Sequence, residues 1–163
     1  MSFKCQICGE IHEDWPALTF DAPLGYSQLS NEDKNSIAEL DSDFCIIRHE
    51  NQIDRFVRCT LTQKVNDHND GLDYGIWVSL SQKSFDDYKE NFDNENHETG
   101  YFGYLSNNIP GYPSTLNIYL NVFTQKGNCR PIVVPQSTFA HIFVTDYYNG
   151  ISRGEAERRI HGV

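Results

Sequence analysis

Residues 74–80 read YGIWVSL, an apolar run of strand length that is rich in aromatic and β-branched side chains. Such a run favours a strand buried within a sheet, so we place Trp77 in a central strand. Upstream, segments 44–48 and 53–61 alternate apolar with polar residues on either side of the polar turn HENQ at 49–52. This alternation predicts a β-hairpin.

Helix signals are interspersed among the strand segments. A capping-box-like start at Ser30 predicts a helix that ends near Asp41, and Ser84 opens a second helix with an aromatic stripe. A third helix is predicted at residues 139–147 from its apolar spacing and from the stop signal Asn149-Gly150. A fourth is predicted at residues 152–161, where Ser152 and Glu155 form a capping box and basic residues stand at the C-terminal end.

The order of these elements indicates the fold class. A second hairpin is predicted from residues 115–124 and 130–134, while residues 66–73 have the composition of a loop. Hairpin-linked strands without a regular strand–helix–strand alternation predict an α+β fold, with an antiparallel or mixed sheet and helices packed on one face. The length of 163 residues predicts a single domain, residues 1–163.

Composition narrows the classes of partner. The chain has 13 basic and 23 acidic residues and a formal net charge of −10. This charge disfavours nucleic acid and anionic membranes and favours a basic protein, although acidity also serves solubility. The N-terminus lacks the apolar segment of a secretory signal, and the five cysteines form no even framework. We therefore expect a cytoplasmic protein with reduced thiols or metal ligands and without disulfides.

The sharpest chemical signal is the motif Cys5-x-x-Cys8-Gly9-x-x-His12. Two thiolates two residues apart can bind one tetrahedral ion, and the glycine permits the tight turn. The motif predicts a zinc-knuckle-like turn within residues 1–16 that packs on the body of the domain and holds a structural zinc ion. The alternatives are a pair without metal and a redox pair, which would normally open a helix beside a βαβ unit.

A closed zinc site needs four ligands, and the sequence holds no second CxxC motif. We predict that His12 and Cys45 complete the site. In the predicted hairpin, Cys45 and Cys59 are equally far from Gln52, so Cys59 could face Cys45 across the strands and substitute for it. For Cys59 and Cys129 we favour the alternative that they are small buried side chains.

A second feature is the stretch of residues 99–125, which holds no charged side chain although charged residues make up 22% of the chain. Its tyrosines and asparagines are residue types that make good binding surfaces. The predicted ligand or partner surface consists of Tyr101, Tyr104, Asn107, Tyr112 and Arg130. The alternative is a core strand preceded by a structured turn.

Two classes of function remain open. The sequence carries no motif of acyl transfer, nucleotide binding or metalloprotease chemistry, so it gives no positive reason to predict an enzyme. The leading hypothesis is an acidic binding or accessory protein. Such a protein could neutralise a basic protein, as small bacterial immunity proteins do. The runner-up is an enzyme that acts on a small molecule at residues 101–130. A deep pocket with convergent polar groups would favour the enzyme, and a flat acidic face would favour protein binding.

Several sequence blocks occur in order along the chain: CxxCGxxH at 5–12, DxCxI at 43–47, GIWVSLS at 75–81, YFGYLSN at 101–107, IPGYPSTLN at 109–117 and GISRGEAE at 150–157. Together they resemble an uncharacterised bacterial family, a domain of unknown function, along nearly the whole chain. The resemblance implies a free-standing cytoplasmic domain in which Cys5, Cys8, His12 and Cys45 stand where the family has the same residue types. It also implies a different small residue at the position of Cys59.

Overall fold

The computed structural model of the protein describes residues 3–4, 11–12, 15–127 and 129–162, with the backbone alone at residues 3–4, 11–12 and 69. Its strands are β1 (Phe3–Lys4), β2 (Ile11–His12), β3 (Leu18–Thr19), β4 (Ala38–Leu40), β5 (Phe44–Arg48), β6 (Ile53–Val65), β7 (His68–Leu80), β8 (Gly100–Leu105), β9 (Tyr119–Phe123) and β10 (Ile132–Pro135). Its helices are α1 (Leu24–Ser27), α2 (Asn31–Ser36), α3 (Gln82–Glu90), α4 (Ile142–Asn149) and α5 (Arg153–Ile160).

Five of the strands close into a barrel. The antiparallel neighbours follow one another from β6 to β7, β8, β9 and β10, and β10 returns to β6 through the parallel pair Ile132 and Thr60. Outside this ring, β3 pairs in parallel with β7, while β5 and then β4 extend the sheet from β6. The predicted α+β class and mixed sheet are therefore confirmed.

Closure of the sheet changes where the helices pack. The sequence predicted an antiparallel or mixed sheet with helices on one face, whereas a closed barrel has an inside and an outside. Side chains from three helices join the apolar core of the barrel: Phe85, Tyr88, Phe143, Val144 and Ala156.

Within residues 15–127 and 129–162, no helix combines the length and the apolar character needed to cross a membrane.

Alternation along the long β6–β7 hairpin builds two apolar clusters. Successive side chains of a strand point to opposite faces, so Cys59 lies in the main core while Phe56 lies in a second cluster with Cys45 and Trp77. Trp77 is fully buried, and its indole Nε1 donates a hydrogen bond to the carbonyl oxygen of Phe20 at 2.9 Å. The predicted central position of Trp77 is confirmed.

The predicted pairing of Cys45 with Cys59 is wrong. Cys45 is opposite Phe56 in the β5–β6 pair. Because Arg48 pairs with Ile53, the hairpin is centred between residues 50 and 51 and not on Gln52. The residue opposite Cys45 is therefore Phe56, which lies an odd number of residues before Cys59. Because side chains alternate, the two thiols lie on opposite faces of the sheet.

Two local predictions are also corrected. Ser30 caps α2 as predicted, since its Oγ accepts a hydrogen bond from the backbone N–H of Asp33 at 3.1 Å. The helix nevertheless ends at Ser36, because the following residues form β4 and pair with β5. Residues 66–73 do not form a loop, because β6 and β7 pair up to the turn at residues 66–67. In both places strand pairing outweighs the local sequence signal.

Alkaline pH is expected to destabilise the fold through its buried thiol and phenol groups. Cys59 is fully buried, and burial raises the pKa of its thiol above the ordinary 9.0, although Arg130 acts to lower it. Above pH 9 the unfolded chain loses this proton while the folded chain keeps it, so stability present below that pH is lost as the pH rises. The unfolding free energy should fall by about 1.4 kcal/mol per pH unit for each such group.

Urea unfolding at neutral and alkaline pH measures this loss, and the Cys59→Ala variant is the control. It removes the thiol but keeps the buried phenol of Tyr88, whose pKa burial raises above its ordinary 10.0. The variant should be less stable at neutral pH because of the cavity, but its stability should fall less steeply between pH 9 and pH 10. An unchanged slope in this interval would contradict the assignment to Cys59.

Candidate functional site

The outer surface of three barrel strands carries a group of exposed apolar side chains. On β8, Phe102 and Tyr104 are 42% and 39% exposed, and on β9, Tyr119 and Phe123 are 44% and 42% exposed. Ile132 on β10 stands opposite Phe123 and is 41% exposed. These five residues are called the aromatic face below.

Three rings of the aromatic face, those of Phe102, Tyr104 and Tyr119, contact one another. Phe102 packs edge to face on Tyr104 and on Tyr119, with ring centroids 5.0 and 5.3 Å apart. The centroids of Tyr104 and Tyr119 are 5.6 Å apart, and Phe139 extends the group at 5.0 Å from Tyr119. A single exposed aromatic side chain is ordinary, but a contiguous group of this kind is typical of an interaction surface.

Strand alternation explains the absence of charge at only half of the strand positions in residues 99–125. Its inward side chains, such as Leu120 and Val122, are fully buried in the core, which excludes charge there. The outward positions could carry charge without cost, yet they hold aromatic residues. The hydroxyl groups of Tyr104 and Tyr119 make no hydrogen bond within the part of the chain that the structure describes, which leaves them for a partner.

An acidic groove borders the aromatic face. Phe102 lines it together with Asp86, Asp87 and Glu90 of α3, and the volume of the groove is about 680 Å³. Lys83 also lines the groove, so one ammonium group accompanies three carboxylates and the balance of charge is negative. Aromatic rings beside negative charge are complementary to Arg and Lys side chains, which bind through cation–π contacts and ion pairs.

Tyr101 points to the other side of β8 and belongs to a polar network. Its hydroxyl donates to Asp87 Oδ2 at 2.6 Å and lies 3.1 Å from His97 Nε2. Burial, followed by this hydrogen bond, raises the pKa of the Tyr101 hydroxyl. His97 and Arg130 line one cavity of about 470 Å³, and Arg130 Nε donates to Asp43 Oδ1 at 3.0 Å. The predicted residue Arg130 is therefore already ion-paired.

The predicted residues Asn107 and Tyr112 lie in other surroundings. Asn107 is 2% exposed, its Oδ1 accepts from the backbone N–H of Trp77 at 2.7 Å, and its Nδ2 donates to the carbonyl oxygen of Ala22 at 3.0 Å. The half-buried Tyr112 donates to Asp146 Oδ2 at 2.6 Å. The sequence-predicted residues are therefore spread over separate sites and do not form one surface.

Comparison with known proteins places the chain in a family. Residues 4–151 match the family described as an uncharacterized protein conserved in bacteria (DUF2199). The chain belongs to this family. The resemblance inferred from the sequence blocks is confirmed, and the matched range includes both the CxxC motif and the aromatic face. The comparisons with curated proteins and with solved structures give no match.

The predicted zinc ligands fall mostly outside the described chain. Cys5 and Cys8 lie outside the described residues, and His12 is described by its backbone alone. Cys45 is fully buried in the second apolar cluster, and burial is the main cause that raises the pKa of its thiol to about 12. Among residues 15–127 and 129–162, no group of three His, Cys, Asp or Glu side chains could hold a metal ion.

The two remaining cysteines differ in burial. Cys59 is fully buried, which confirms the prediction of a small packing side chain. Cys129 is exposed, so the same prediction is wrong for it. It lies in the connection between β9 and β10, outside the alternating strands that bury Cys45 and Cys59.

Sequence analysis overlooked most of the aromatic face. The predicted surface included Tyr104 but not Phe102, Tyr119, Phe123 or Ile132. Phe102 was missed because no strand was predicted at residues 100–105. Tyr119 and Phe123 lie on the strand predicted at residues 115–124, but on the side opposite to its apolar residues. For Phe102 the signal was present in the alternation of residues 100–105, which places residues 100, 102 and 104 on one side and their neighbours on the other. A strand assigned there would have separated Tyr104 from Tyr101 and grouped it with Phe102.

Proposed function

We propose that this protein is a small acidic binding or accessory protein whose aromatic face receives a basic protein partner. The observation that carries this proposal is the aromatic face itself, five outward side chains on adjacent strands that are each about two-fifths exposed, three of which are rings in mutual contact. Interface centres are rich in aromatic residues and poor in charge, with polar residues around them. An uncharged aromatic surface bordered by the carboxylates of α3 fits that description.

Charge supports a basic partner over other classes. With a net charge of −10, the protein repels acidic surfaces and attracts basic ones, which accelerates association with a basic protein. The protein would neutralise or accompany such a partner in the cytoplasm, as small bacterial immunity proteins do. The interaction should weaken as salt screens the ion pairs at the edge of the interface.

Affinity capture from the source bacterium at low salt tests the proposal. We expect one basic protein in stoichiometric amount, which is released when the salt concentration is raised and is not captured by a variant that lacks the aromatic face. Capture of an acidic protein, or equal capture by that variant, would be evidence against the proposed surface.

We also propose that Cys5, Cys8, His12 and Cys45 hold one structural zinc ion. The CxxC spacing supports this proposal, and so does the antiparallel pairing that sets the backbone of His12 opposite that of Phe3. Zinc binds cysteine as the thiolate, so the ion would replace the proton that burial otherwise keeps on Cys45. Its contribution would be to stability.

The zinc proposal predicts about one zinc ion per chain in protein purified without chelator. Chelation should lower the melting temperature, because the binding energy of a structural ion contributes to folding. Elemental analysis of the purified chain measures the content. The Cys8→Ser variant should lose the ion, whereas Cys129→Ser should keep it because the exposed Cys129 is not one of the proposed ligands. Metal-free wild-type protein, or equal zinc in both variants, would rule the site out.

The second candidate function is an enzyme that acts on a small molecule within residues 101–130. The observation in its favour is the cavity of about 470 Å³ that His97 and Arg130 line. His97 lies within hydrogen-bond distance of the Tyr101 hydroxyl, which donates to Asp87 outside the cavity. Loss of biological activity in a His97→Gln variant that still captures the basic protein would favour the enzyme over the binding protein.

A further inference from the structure

A separate cavity lies between β3, the turn at residues 110–112 and α5. Its volume is about 550 Å³, within the range of pockets that hold small ligands. Leu18, Phe20 and the ring of Tyr74 form apolar walls, and Arg159 lines the same space. None of these residues belongs to the aromatic face, so a ligand here would be independent of partner binding.

Arg159 brings a largely buried cation with spare donors into this cavity. Its side chain is 12% exposed, and it donates from Nη1 to the Tyr74 hydroxyl at 3.1 Å and from Nη2 to the Tyr112 hydroxyl at 2.5 Å. Within the described chain these are the hydrogen bonds of its guanidinium, so most of its N–H groups have no acceptor. A desolvated cation with unpaired donors favours an anionic ligand.

Tyr74 adds a further donor. It is 1% exposed, and its oxygen accepts from Arg159, but its own hydroxyl proton has no acceptor in the part of the chain that is described. The Tyr112 hydroxyl differs, because it donates to Asp146. Arg159 and Tyr74 thus present donors without acceptors to one cavity, an arrangement complementary to an oxyanion.

The neighbouring carboxylates determine which anion fits. Asp146 Oδ2 and Glu155 Oε1 lie 3.9 and 3.8 Å from the nearest nitrogens of Arg159, beyond hydrogen-bond distance. The Tyr112 hydroxyl donates a hydrogen bond to the Asp146 carboxylate, and Arg158 forms an ion pair with Glu155. Both carboxylates already offset the charge of Arg159, so a singly charged anion should bind more readily than a phosphate dianion. A carboxylate also matches the planar guanidinium.

We propose that this cavity binds a small monocarboxylate with an apolar body. The carboxylate accepts hydrogen bonds from Arg159 and Tyr74, and the apolar body packs against Leu18 and Phe20. This ligand class follows from the donors, the charge and the walls of the cavity together.

Titration of the ¹⁵N-labelled full chain with three probes tests the ligand class. Phenylacetate should give saturable shifts of backbone amides around Tyr74 and Arg159. Phenylacetamide, which has the same shape without the charge, should bind at least about tenfold more weakly, and phenyl phosphate should also bind more weakly than phenylacetate. Equal affinity for the acid and the amide, or no saturable shift with phenylacetate, would overturn the proposal.

Variants locate the binding site. Arg159→Gln and Tyr74→Phe should each weaken phenylacetate binding about tenfold, because each removes a donor to the carboxylate. Arg48→Gln is the matched control, since it removes the same charge from a side chain that is ion-paired with Glu39 and does not line this cavity, and it should bind as the wild type does. Tyr74→Phe keeps the ring and decides the matter if Arg159→Gln fails to fold by circular dichroism. Undiminished binding by a folded Arg159→Gln or Tyr74→Phe variant would overturn the assignment.

Discussion

Replacing Asn107 by leucine is expected to lower the free energy of unfolding by about 3 kcal/mol. The side chain is 2% exposed and joins the backbone of Trp77 to that of Ala22 through hydrogen bonds of 2.7 and 3.0 Å. Leucine has a similar size but leaves the buried N–H of Trp77 and the half-buried carbonyl of Ala22 without these partners, and each buried group of this kind costs about 1–3 kcal/mol. In thermal unfolding the same loss should lower the melting temperature by about 6–12 °C.

Asn96→Leu is the matched control, because Asn96 is exposed and its side chain makes no hydrogen bond within the described residues. Its unfolding free energy should stay within about 0.5 kcal/mol of the wild type. Urea unfolding of the three proteins measures the difference. If Asn107→Leu were as stable as the control, Asn107 would be free to serve as the ligand residue that its sequence context suggested.

The double variant Phe102→Thr with Tyr119→Thr is expected to weaken binding of the captured basic partner at least about 100-fold. These two rings are 42% and 44% exposed and contact each other at the centre of the aromatic face. Threonine keeps the strand propensity of the positions, so stability should change by no more than about 1 kcal/mol. Isothermal titration at low salt measures the affinity, and urea unfolding measures the stability.

A matched control removes apolar surface from elsewhere on the molecule. Ile53 and Ile142 are 43% and 56% exposed and lie outside the aromatic face, so Ile53→Thr with Ile142→Thr should leave the affinity unchanged. Equal weakening by both double variants would mean that the partner responds to general hydrophobicity, and the aromatic face would lose its assigned role.

Local signals in the sequence predicted many elements correctly, because their causes lie within a few residues. Ser152 caps α5 through a hydrogen bond from the backbone N–H of Glu155, as their spacing predicts. The β5–β6 hairpin and the buried strand around Trp77 follow from alternation and apolar runs. These features determine the α+β class.

Closure of the barrel depends on contacts that no local pattern contains. The parallel pair Ile132 and Thr60 joins strands far apart in sequence, and periodicity gives no signal for such a neighbour. The same holds for the contact of Arg159 with Tyr74, 85 residues away. In the sequence, Arg159 is only a cation near the end of the helix predicted at residues 152–161. Its burial among phenol groups depends on the contact of α5 with Tyr74 of β7 and with Tyr112.

The candidate surface lies between these two cases. Composition showed that residues 99–125 lack charge, but it did not show which of their side chains point outward. That information requires the positions of β8 and β9, because a shift of one residue exchanges the inner and outer faces. Tyr101 and Tyr104 were therefore grouped in one predicted site although they face opposite sides.

Photo-crosslinking at position 104 in living cells tests the central claim most directly. With p-benzoylphenylalanine in place of Tyr104, ultraviolet light should join the protein to one basic protein, and the same substitution at Ile53 should give no such adduct. Both positions are similarly exposed, at 39% and 43%, so accessibility alone predicts no difference between them. The account would be contradicted by the absence of an adduct at position 104, by an adduct between two copies of this chain, or by an equal yield of the same adduct at position 53.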